Sequence, residues 1–322
     1  MNNFRTEVPI QKSNVELNHN RPILSFGSCF AFEIFKKLRN YGFHAQHPGG
    51  VIYNPISILD IMHKGLNNIP YLNTDLVRYR NTYFSWFHNG KDYHEVSSEK
   101  LIHQLNDENV VVKELLKNKP IILITFGTAY IYELQSTSQI VANCHKQNSA
   151  LFNKRKLTVE EITTPWKNLI QHLDAEFIFT VSPVRHLKDG LVENNVSKST
   201  MILAVEEIIS AFPDKSNYFP SYEILLDELR DYRFYASDWI HPSTEAVDYI
   251  WEKFSMSFMA DSSQALILEI EKIRKGLNHK ILYEIDTEFY KKLLKKIELV
   301  KPKTPYYAWE HEIEFVQKYL AD

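Results

Sequence analysis

PILSFGSC, residues 22–29, is a short apolar run that ends in Gly-Ser, and an amphipathic stretch follows it directly. Behind it, Ile34, Phe35 and Leu38 recur at helical spacing, so the segment predicts a strand, a tight turn and a helix. Such a turn would place Ser28 at the carboxyl edge of a parallel sheet, where open α/β folds bind their ligands.

Two later runs read as strands of the same sheet. Residues 120–127 (PIILITFG) and 175–181 (AEFIFTV) are apolar without alternation, which is typical of strands buried on both faces. Helical patterns separate these runs, and strands that alternate with helices predict a three-layer α/β/α sandwich with a mostly parallel central sheet. Before the first of these runs, residues 76–96 alternate polar and aromatic side chains and predict a β-ribbon with Asn89-Gly90 as its turn.

The last part of the chain changes character. Residues 264–278, 284–300 and 306–320 are helix-like and rich in charge. We therefore expect an α/β domain over residues 1–260 and a C-terminal helical appendage over residues 261–322. Its lysine clusters beside apolar residues are typical of an amphipathic helix with a solvated face, not of a membrane anchor. Two roles are open to it: packing on its own domain, or packing against a second copy as a homodimer.

The composition excludes several classes of protein. With 322 residues, 44% hydrophobic residues and a formal net charge of −3, the sequence offers no electrostatic basis for binding nucleic acid. It has no run of about 20 apolar residues and no signal-peptide pattern at its start, so we expect a cytoplasmic protein without membrane insertion. Two cysteines make no disulfide framework, and the histidines lack metal-site spacing, so no metal or cofactor is expected.

A second chemical signal stands far from Ser28, in Asp238-Trp239-Ile240-His241. An Asp three residues before a His can hold one imidazole nitrogen and leave the other to take a proton from a serine. Taken singly, the two signals also fit a helix-capping serine and a capping aspartate beside a surface histidine. Together they predict a Ser28–His241–Asp238 triad.

Gly27-Ser28-Cys29-Phe30-Ala31 is the motif of the GSCFA family, and further stretches also resemble its bacterial members. These stretches are FGTAYIYE (126–133), ANCHK (142–146), SPVRHLKDGLVENN (182–195) and YFPSYEIL (218–225). The resemblance covers roughly residues 20–260 and implies a fold of the SGNH/GDSL-hydrolase, flavodoxin-like kind.

The resemblance implies a role for each matching position. Ser28 falls on the nucleophile, while Gly50 or Asn54 falls near the block that donates to the oxyanion. Thr128 stands where the SGNH pattern has an asparagine, and one hydroxyl cannot reach as an amide does. Since losing one oxyanion donor can cost about 10²–10³ in rate, Thr128 or Asn54 substitutes for it or the enzyme is slow.

The function implied is a serine hydrolase acting on an acyl or acetyl ester, with an acylated sugar or a lipid among the substrates. An acyltransferase using the same triad is one alternative, and a catalytically weak ligand-binding module is another. Three more residues follow predicted strands and are expected to bind substrate: His145, Arg185 and His186. For each, a structural role is an equal alternative. Cys29 adjoins the nucleophile, so a thiol enzyme is the less favoured reading.

Overall fold

The computed structural model describes residues 5–278 and 287–320. The strands are β1 (Ile23–Gly27), β2 (Ala45–Gln46), β3 (Leu76–Tyr79), β4 (Thr82–Ser85), β5 (His94–Glu95), β6 (Ile121–Phe126), β7 (Tyr130–Leu134), β8 (Ile140–Val141), β9 (Phe152–Lys156), β10 (Glu176–Val181) and β11 (Ser216–Tyr218). The helices are α1 (Cys29–Asn40), α2 (Pro55–Asn67), α3 (Ser98–Leu116), α4 (Val159–His172), α5 (Leu191–Ala211), α6 (Ser221–Glu223), α7 (Thr244–Phe258), α8 (Asp261–Leu277), α9 (Thr287–Val300) and α10 (Glu310–Lys318). The first three residues of the helix predicted over 284–300 lie outside the described residues.

Five strands form the central sheet, and all of them are parallel. Their order is β11-β10-β6-β1-β2, which confirms the predicted α/β class. Numbered within this sheet, the order is 2-1-3-4-5, that of flavodoxin-like folds, and the connection reverses direction between β1 and β6. The carboxyl ends of these two strands therefore border the crevice where such folds bind ligands.

Both faces of the sheet are covered, because successive residues of each strand point to opposite sides. In β1, Ile23 belongs to one apolar core, and Leu24 and Phe26 belong to the other. Helices α1, α7, α8, α9 and α10 contribute to the first core, and helices α2, α3, α4 and α5 to the second. This is the predicted three-layer sandwich.

Gly27 closes β1 in a way that only glycine allows. Its φ is +133°, and a Cβ there would lie 2.2 Å from the carbonyl oxygen of Thr125 on the neighbouring strand β6. The glycine therefore lets β1 and β6 stay in close contact while the chain turns sharply into α1.

The predicted ribbon exists, but its tight turn was misplaced. Strands β3 and β4 pair with Tyr79 opposite Thr82, so the two-residue turn is Arg80-Asn81 and not Asn89-Gly90. Asn89 lies in the loop between β4 and β5, where its side-chain oxygen accepts from the amides of Lys91 and Asp92. Asn-Gly is common both in turns closed by the Asn side chain and in β-hairpin turns, so the sequence alone did not distinguish the two.

The ribbon is a three-stranded antiparallel sheet, β3-β4-β5. Another sheet of this kind, β8-β7-β9, was not predicted. Its strands have two to five residues and carry no clear alternation. It packs on the ribbon through Trp86, Val141 and Phe152, which share a small apolar core.

The C-terminal helices pack onto the α/β domain. Ile270 of α8, Leu293 of α9 and Val316 of α10 are buried in the same core as residues of α1 and α7. Trp309, just before α10, is also buried there, and its indole donates to the hydroxyl of Thr304 at 2.9 Å.

Candidate active site at the switch point of the sheet

Ser28 and Cys29 meet different surroundings, although they are neighbours at the start of α1. The Ser28 side chain is fully buried, and its hydroxyl donates to the hydroxyl of Ser182 at 2.8 Å. The same oxygen accepts from the amide of Phe30 at 3.3 Å, which makes Ser28 the N-cap of α1. The Ser28 amide donates to the carbonyl of Thr125, so it is not free to bind an oxyanion. The side chain predicted to be the nucleophile therefore faces the interior.

Cys29 is the first residue of α1, and it is partly exposed. Its sulfur lies 3.5 Å from the hydroxyl of Tyr53. Burial raises the pKa of Tyr53, and the neighbouring Cys29 adds to the shift, so the phenol stays protonated as a hydrogen-bond donor.

Asp238 and His241 form the predicted pair. Imidazole Nδ1 and carboxylate Oδ2 are 2.6 Å apart, and the other carboxylate oxygen accepts from the amides of Ile240 and His241 at 2.9 and 3.0 Å. The hydrogen bond from the His241 ring, followed by those of the two amides, lowers the pKa of Asp238 to about 2. A carboxylate that stays ionised and accepts from Nδ1 leaves Nε2 as the basic nitrogen of the ring.

Arg185 holds the loop that carries this pair. Its backbone amide donates to the carbonyl of Ile240 at 3.1 Å, and its guanidinium donates to the carbonyl of Trp239 at 3.3 Å. The guanidinium also stacks 3.8 Å above the ring of Tyr235. The Trp239 backbone is left-handed, with φ of 59°, a conformation that a bulky residue keeps only when its surroundings enforce it.

Three cavities meet at His241. The ribbon cavity, of about 790 Å³, lies between α1 and the ribbon and is lined by Cys29, Tyr53 and His241, among others. The strand-edge cavity, of about 400 Å³, adjoins Thr128 and Arg185, and the α1–α7 cavity, of about 500 Å³, is again lined by Cys29. Ser28 lines none of these three cavities, which are formed by the described residues.

Comparison with known protein families gives a match that covers the central sheet and the residues of this site. The model of the GSCFA family matches residues 22–254. The chain belongs to the GSCFA family. No curated protein and no solved structure matches it. The matched residues contain the whole central sheet, both residues at the start of α1, and the Asp238–His241 loop.

In this GSCFA chain, the side chains expected to stabilise an oxyanion have other partners. Asn54 is the N-cap of α2: its oxygen accepts from the Ser57 amide at 2.8 Å and its nitrogen donates to the Ser57 hydroxyl at 2.9 Å. The Thr128 hydroxyl accepts from the amide of Tyr130 and contacts Ser197 at 3.1 Å. Gly50 packs against Asn89 and is not among the residues that line the three cavities. The amide of Cys29, the first of α1, has no hydrogen-bond partner within the helix and so can donate to another group.

The two predicted histidines line different cavities. His145 borders the ribbon cavity and contacts the carbonyl of Ser85 through Nε2 at 2.7 Å, so Nε2 carries the proton; burial lowers its pKa. His186 borders the strand-edge cavity beside the ring of Tyr53. Its buried Nε2 has no hydrogen-bond partner among the described residues. Burial, helped by the charge of Lys198, lowers the pKa of His186 to about 4, so it is a neutral polar group beside His241.

Sequence reasoning missed Lys198. Its side chain is fully buried, and its ammonium donates to the carbonyls of Gly127 and Ser182 at 2.8 and 2.7 Å, at the carboxyl ends of β6 and β10. Burial lowers its pKa to about 7. Lys198 is spaced three and seven residues from Met201 and Val205, so it lies on the apolar, buried face of α5. This spacing was the sequence signal that could have identified it as a buried lysine.

Within residues 5–278 and 287–320, no group of three or more His, Cys, Asp or Glu side chains could hold a metal ion. No helix in this part of the chain is long and apolar enough to cross a lipid bilayer.

Proposed function

We propose that this GSCFA protein is an acyl hydrolase of ester substrates in which Cys29 is the nucleophile, His241 the general base and Asp238 its partner. The observation that carries the proposal is that Cys29 and the Asp238-paired His241 line the same two cavities. Nucleophilic catalysis requires the base to come within hydrogen-bond reach of the nucleophile when the substrate is bound, and two side chains on the wall of one cavity meet the first condition for this.

Cys29 is favoured over Ser28 on three grounds. Ser28 is fully buried, its hydroxyl caps α1 and donates to Ser182, and its amide is already bonded. Cys29 is partly exposed at an open cavity and lies next to a phenol that can donate to a thiolate. A thiol is also intrinsically a stronger nucleophile than a hydroxyl.

The reaction would proceed in two steps. His241 Nε2 takes the thiol proton, and the Cys29 sulfur attacks the ester carbonyl. The ester C–O bond breaks, and the leaving alkoxide takes the proton from His241 and departs as an alcohol. Water then gives a proton to His241 and attacks the thioester, the C–S bond breaks as the carboxylic acid leaves, and the Cys29 thiolate takes the proton back from His241. The amide of Cys29 would hold the oxyanion of both tetrahedral intermediates.

An acyltransferase is the second form of the same chemistry, since an alcohol can replace water in the second step. Both Asp238 and His241 are nearly half exposed, at 46% and 44%, which favours water as the acceptor. Acetyl and acyl esters of sugars or lipids therefore make the first substrates to screen.

The test compares hydrolysis of 4-nitrophenyl acetate by the wild type and by four alanine variants, at Cys29, Ser28, His241 and Cys144. Cys144, the second partly exposed free cysteine, is the matched control. We expect kcat/KM to fall at least ~10²-fold in Cys29→Ala and His241→Ala, and to stay within about tenfold in Ser28→Ala and Cys144→Ala.

If folded Ser28→Ala is inactive while Cys29→Ala is active, Ser28 is the nucleophile. If the folded wild type turns over neither this ester nor acetylated sugars, the hydrolase proposal fails and a ligand-binding module is the better account.

A further inference from the structure

The ribbon cavity is unusually cationic for a chain with a net charge of −3. Three lysines line it, Lys36, Lys91 and Lys146, against one carboxylate, Glu33. Glu33 already pairs with Lys36 at 2.6 Å. Lys91 and Lys146 have no carboxylate partner within 4.0 Å among the described residues, so two positive charges at the cavity remain uncompensated.

No nearby acid pairs with either lysine among the described residues. Asp92 is next to Lys91 in sequence and keeps its negative charge, but it forms no ion pair with Lys91 and does not line the cavity. The adjoining strand-edge cavity has Arg185 and Lys188 against Asp189, which is bonded to Lys154. The positive character therefore continues from one cavity to the next.

The backbone that presents Lys146 is held in an unfavourable conformation. His145 and Lys146 both have left-handed φ values, 45° and 58°, which two consecutive non-glycine residues rarely adopt. The His145 ring fixes this turn by its contact with the carbonyl of Ser85 and by stacking 4.9 Å from Phe84. The fold thus keeps the Lys146 ammonium near the ring of Tyr79, at 5.9 Å, on the wall of the cavity.

The cavity is large enough for a small organic substrate beyond the reacting ester. Its volume of about 790 Å³ lies in the range of ordinary ligand sites, and the rings of Phe32, Tyr53, Tyr79 and Phe84 supply apolar walls. Cys29 and His241 line it too, so a substrate bound there would reach both the thiol and the lysines.

We infer that the substrate of this site is an acyl ester that carries an anionic group, a phosphate or a carboxylate, held in the ribbon cavity by Lys91 and Lys146. This inference rests on the proposed function for the ester, but its charge preference can be measured without turnover. A cleft lined by one sign of charge concentrates ligands of the opposite sign.

The first experiment measures alkylation of Cys29 by iodoacetate, which is anionic, and by iodoacetamide, which is neutral, with peptide-resolved mass spectrometry. The rate with iodoacetate is divided by the rate with iodoacetamide. This ratio is then divided by the same ratio for free N-acetylcysteine, which corrects for the intrinsic reactivity of the two reagents. We expect a normalised ratio above one at low salt, a fall of about threefold in the double variant Lys91→Met/Lys146→Met, and a return toward one in 0.5 M salt. The double variant Lys295→Met/Lys296→Met on α9 changes the net charge equally and should leave the ratio unchanged.

The second experiment compares kcat/KM for three acetyl esters: methyl 4-acetoxybenzoate, 4-acetoxybenzoate and 4-acetoxyphenyl phosphate. The anionic esters should be preferred by several-fold, and the preference should be lost in the Lys91→Met/Lys146→Met variant. The larger of the two preferences identifies the phosphate or the carboxylate as the natural anion.

The outcomes separate the two proposals. Charge-selective alkylation without hydrolysis of any ester would overturn the hydrolase and leave the anion site standing. Hydrolysis with no charge preference, in either assay, would overturn the anion site alone. If Cys29 reacts with neither reagent, the cavity does not give access to its thiol, and the inference fails as well.

Discussion

At the scale of single residues, the Asp238 carboxylate is the best-defined group of the site. It accepts three hydrogen bonds, all from Ile240 and His241, and its pKa is lowered to about 2. It therefore remains ionised at every pH at which an acyl hydrolase would be assayed. Its negative charge stabilises the imidazolium that forms when His241 takes a proton.

Replacing Asp238 by Asn should lower kcat/KM for ester hydrolysis by about 10²–10⁴-fold, because a neutral amide neither fixes the Nδ1–H tautomer nor stabilises the imidazolium. The readout is steady-state kinetics near neutral pH. Asp231→Asn is the matched control, since Asp231 also accepts from a backbone amide in an exposed turn but is not a partner of His241. Unchanged kinetics in folded Asp238→Asn would remove Asp238 from the mechanism.

Ser28→Ala should act mainly on stability. The variant loses the N-cap of α1 and one of the two hydrogen bonds that the buried Ser182 hydroxyl accepts, for a cost of about 1–3 kcal/mol. Urea unfolding measures this cost, and Ser97→Ala, which removes the N-cap of α3 and an exposed hydrogen bond to Glu99, should cost about 1 kcal/mol. A stable Ser28→Ala variant that has lost all activity would contradict the structural role.

At the scale of elements, the turn between β1 and α1 shows what the sequence could and could not predict. The apolar run and Gly-Ser predicted a reactive side chain at this edge of the sheet. Whether Ser28 or Cys29 faces the cavity depends on the backbone angle φ of Gly27 and on the residue at which α1 begins. The spacing of apolar residues in the sequence predicts neither of these. The contact of Thr128 with Ser197 is tertiary and could not be predicted from the sequence, whereas Asn54 caps α2 through Ser57, a local partner that an Asn directly before a helix-starting Pro could have indicated.

The ribbon has its own buried histidine, His88. It is fully buried and hydrogen-bonded to Ser85 at 2.8 Å, and burial, followed by the charges of His145 and Lys64, lowers its pKa to about 3. Between pH 6.5 and 3 the unfolded chain binds a proton there that the folded chain does not. The folded state therefore loses stability as the pH falls through this window.

His88 alone should make the free energy of unfolding about 2 kcal/mol lower at pH 5 than at pH 7. In His88→Asn, which can keep the bond to Ser85 but does not titrate, the decrease in unfolding free energy from pH 7 to pH 5 should be smaller by that amount. Urea titrations at the two pH values measure it. An equal decrease in both proteins would mean that His88 is protonated in the folded state.

At the scale of the whole molecule, the strand runs and their helical separators were enough to predict the parallel three-layer sandwich. The antiparallel sheet β7–β9 escaped prediction because its short strands are defined by pairing with each other and not by a pattern. The C-terminal helices were predicted as helices, but only the structure shows that they complete the core beside α1 and α7.

Trp309 tests how far the C-terminal region supports the rest. Trp309→Ala should lower the free energy of unfolding by about 3–5 kcal/mol, because it empties a fully buried site and removes the bond to Thr304. Leu299→Ala, on the exposed face of α9, should change it by less than about 0.5 kcal/mol. A small effect of Trp309→Ala would mean that the C-terminal helices contribute little to the core.

The central claim is that Cys29 forms the covalent intermediate. The wild type is mixed briefly with 4-nitrophenyl acetate, quenched in acid, digested and fragmented by mass spectrometry, with and without neutral hydroxylamine. We predict an acetyl group on Cys29 that hydroxylamine removes, as expected of a thioester, and much less of it in His241→Ala. An acetyl group on Ser28 that resists hydroxylamine, or hydrolysis that continues in Cys29→Ala, would contradict the account.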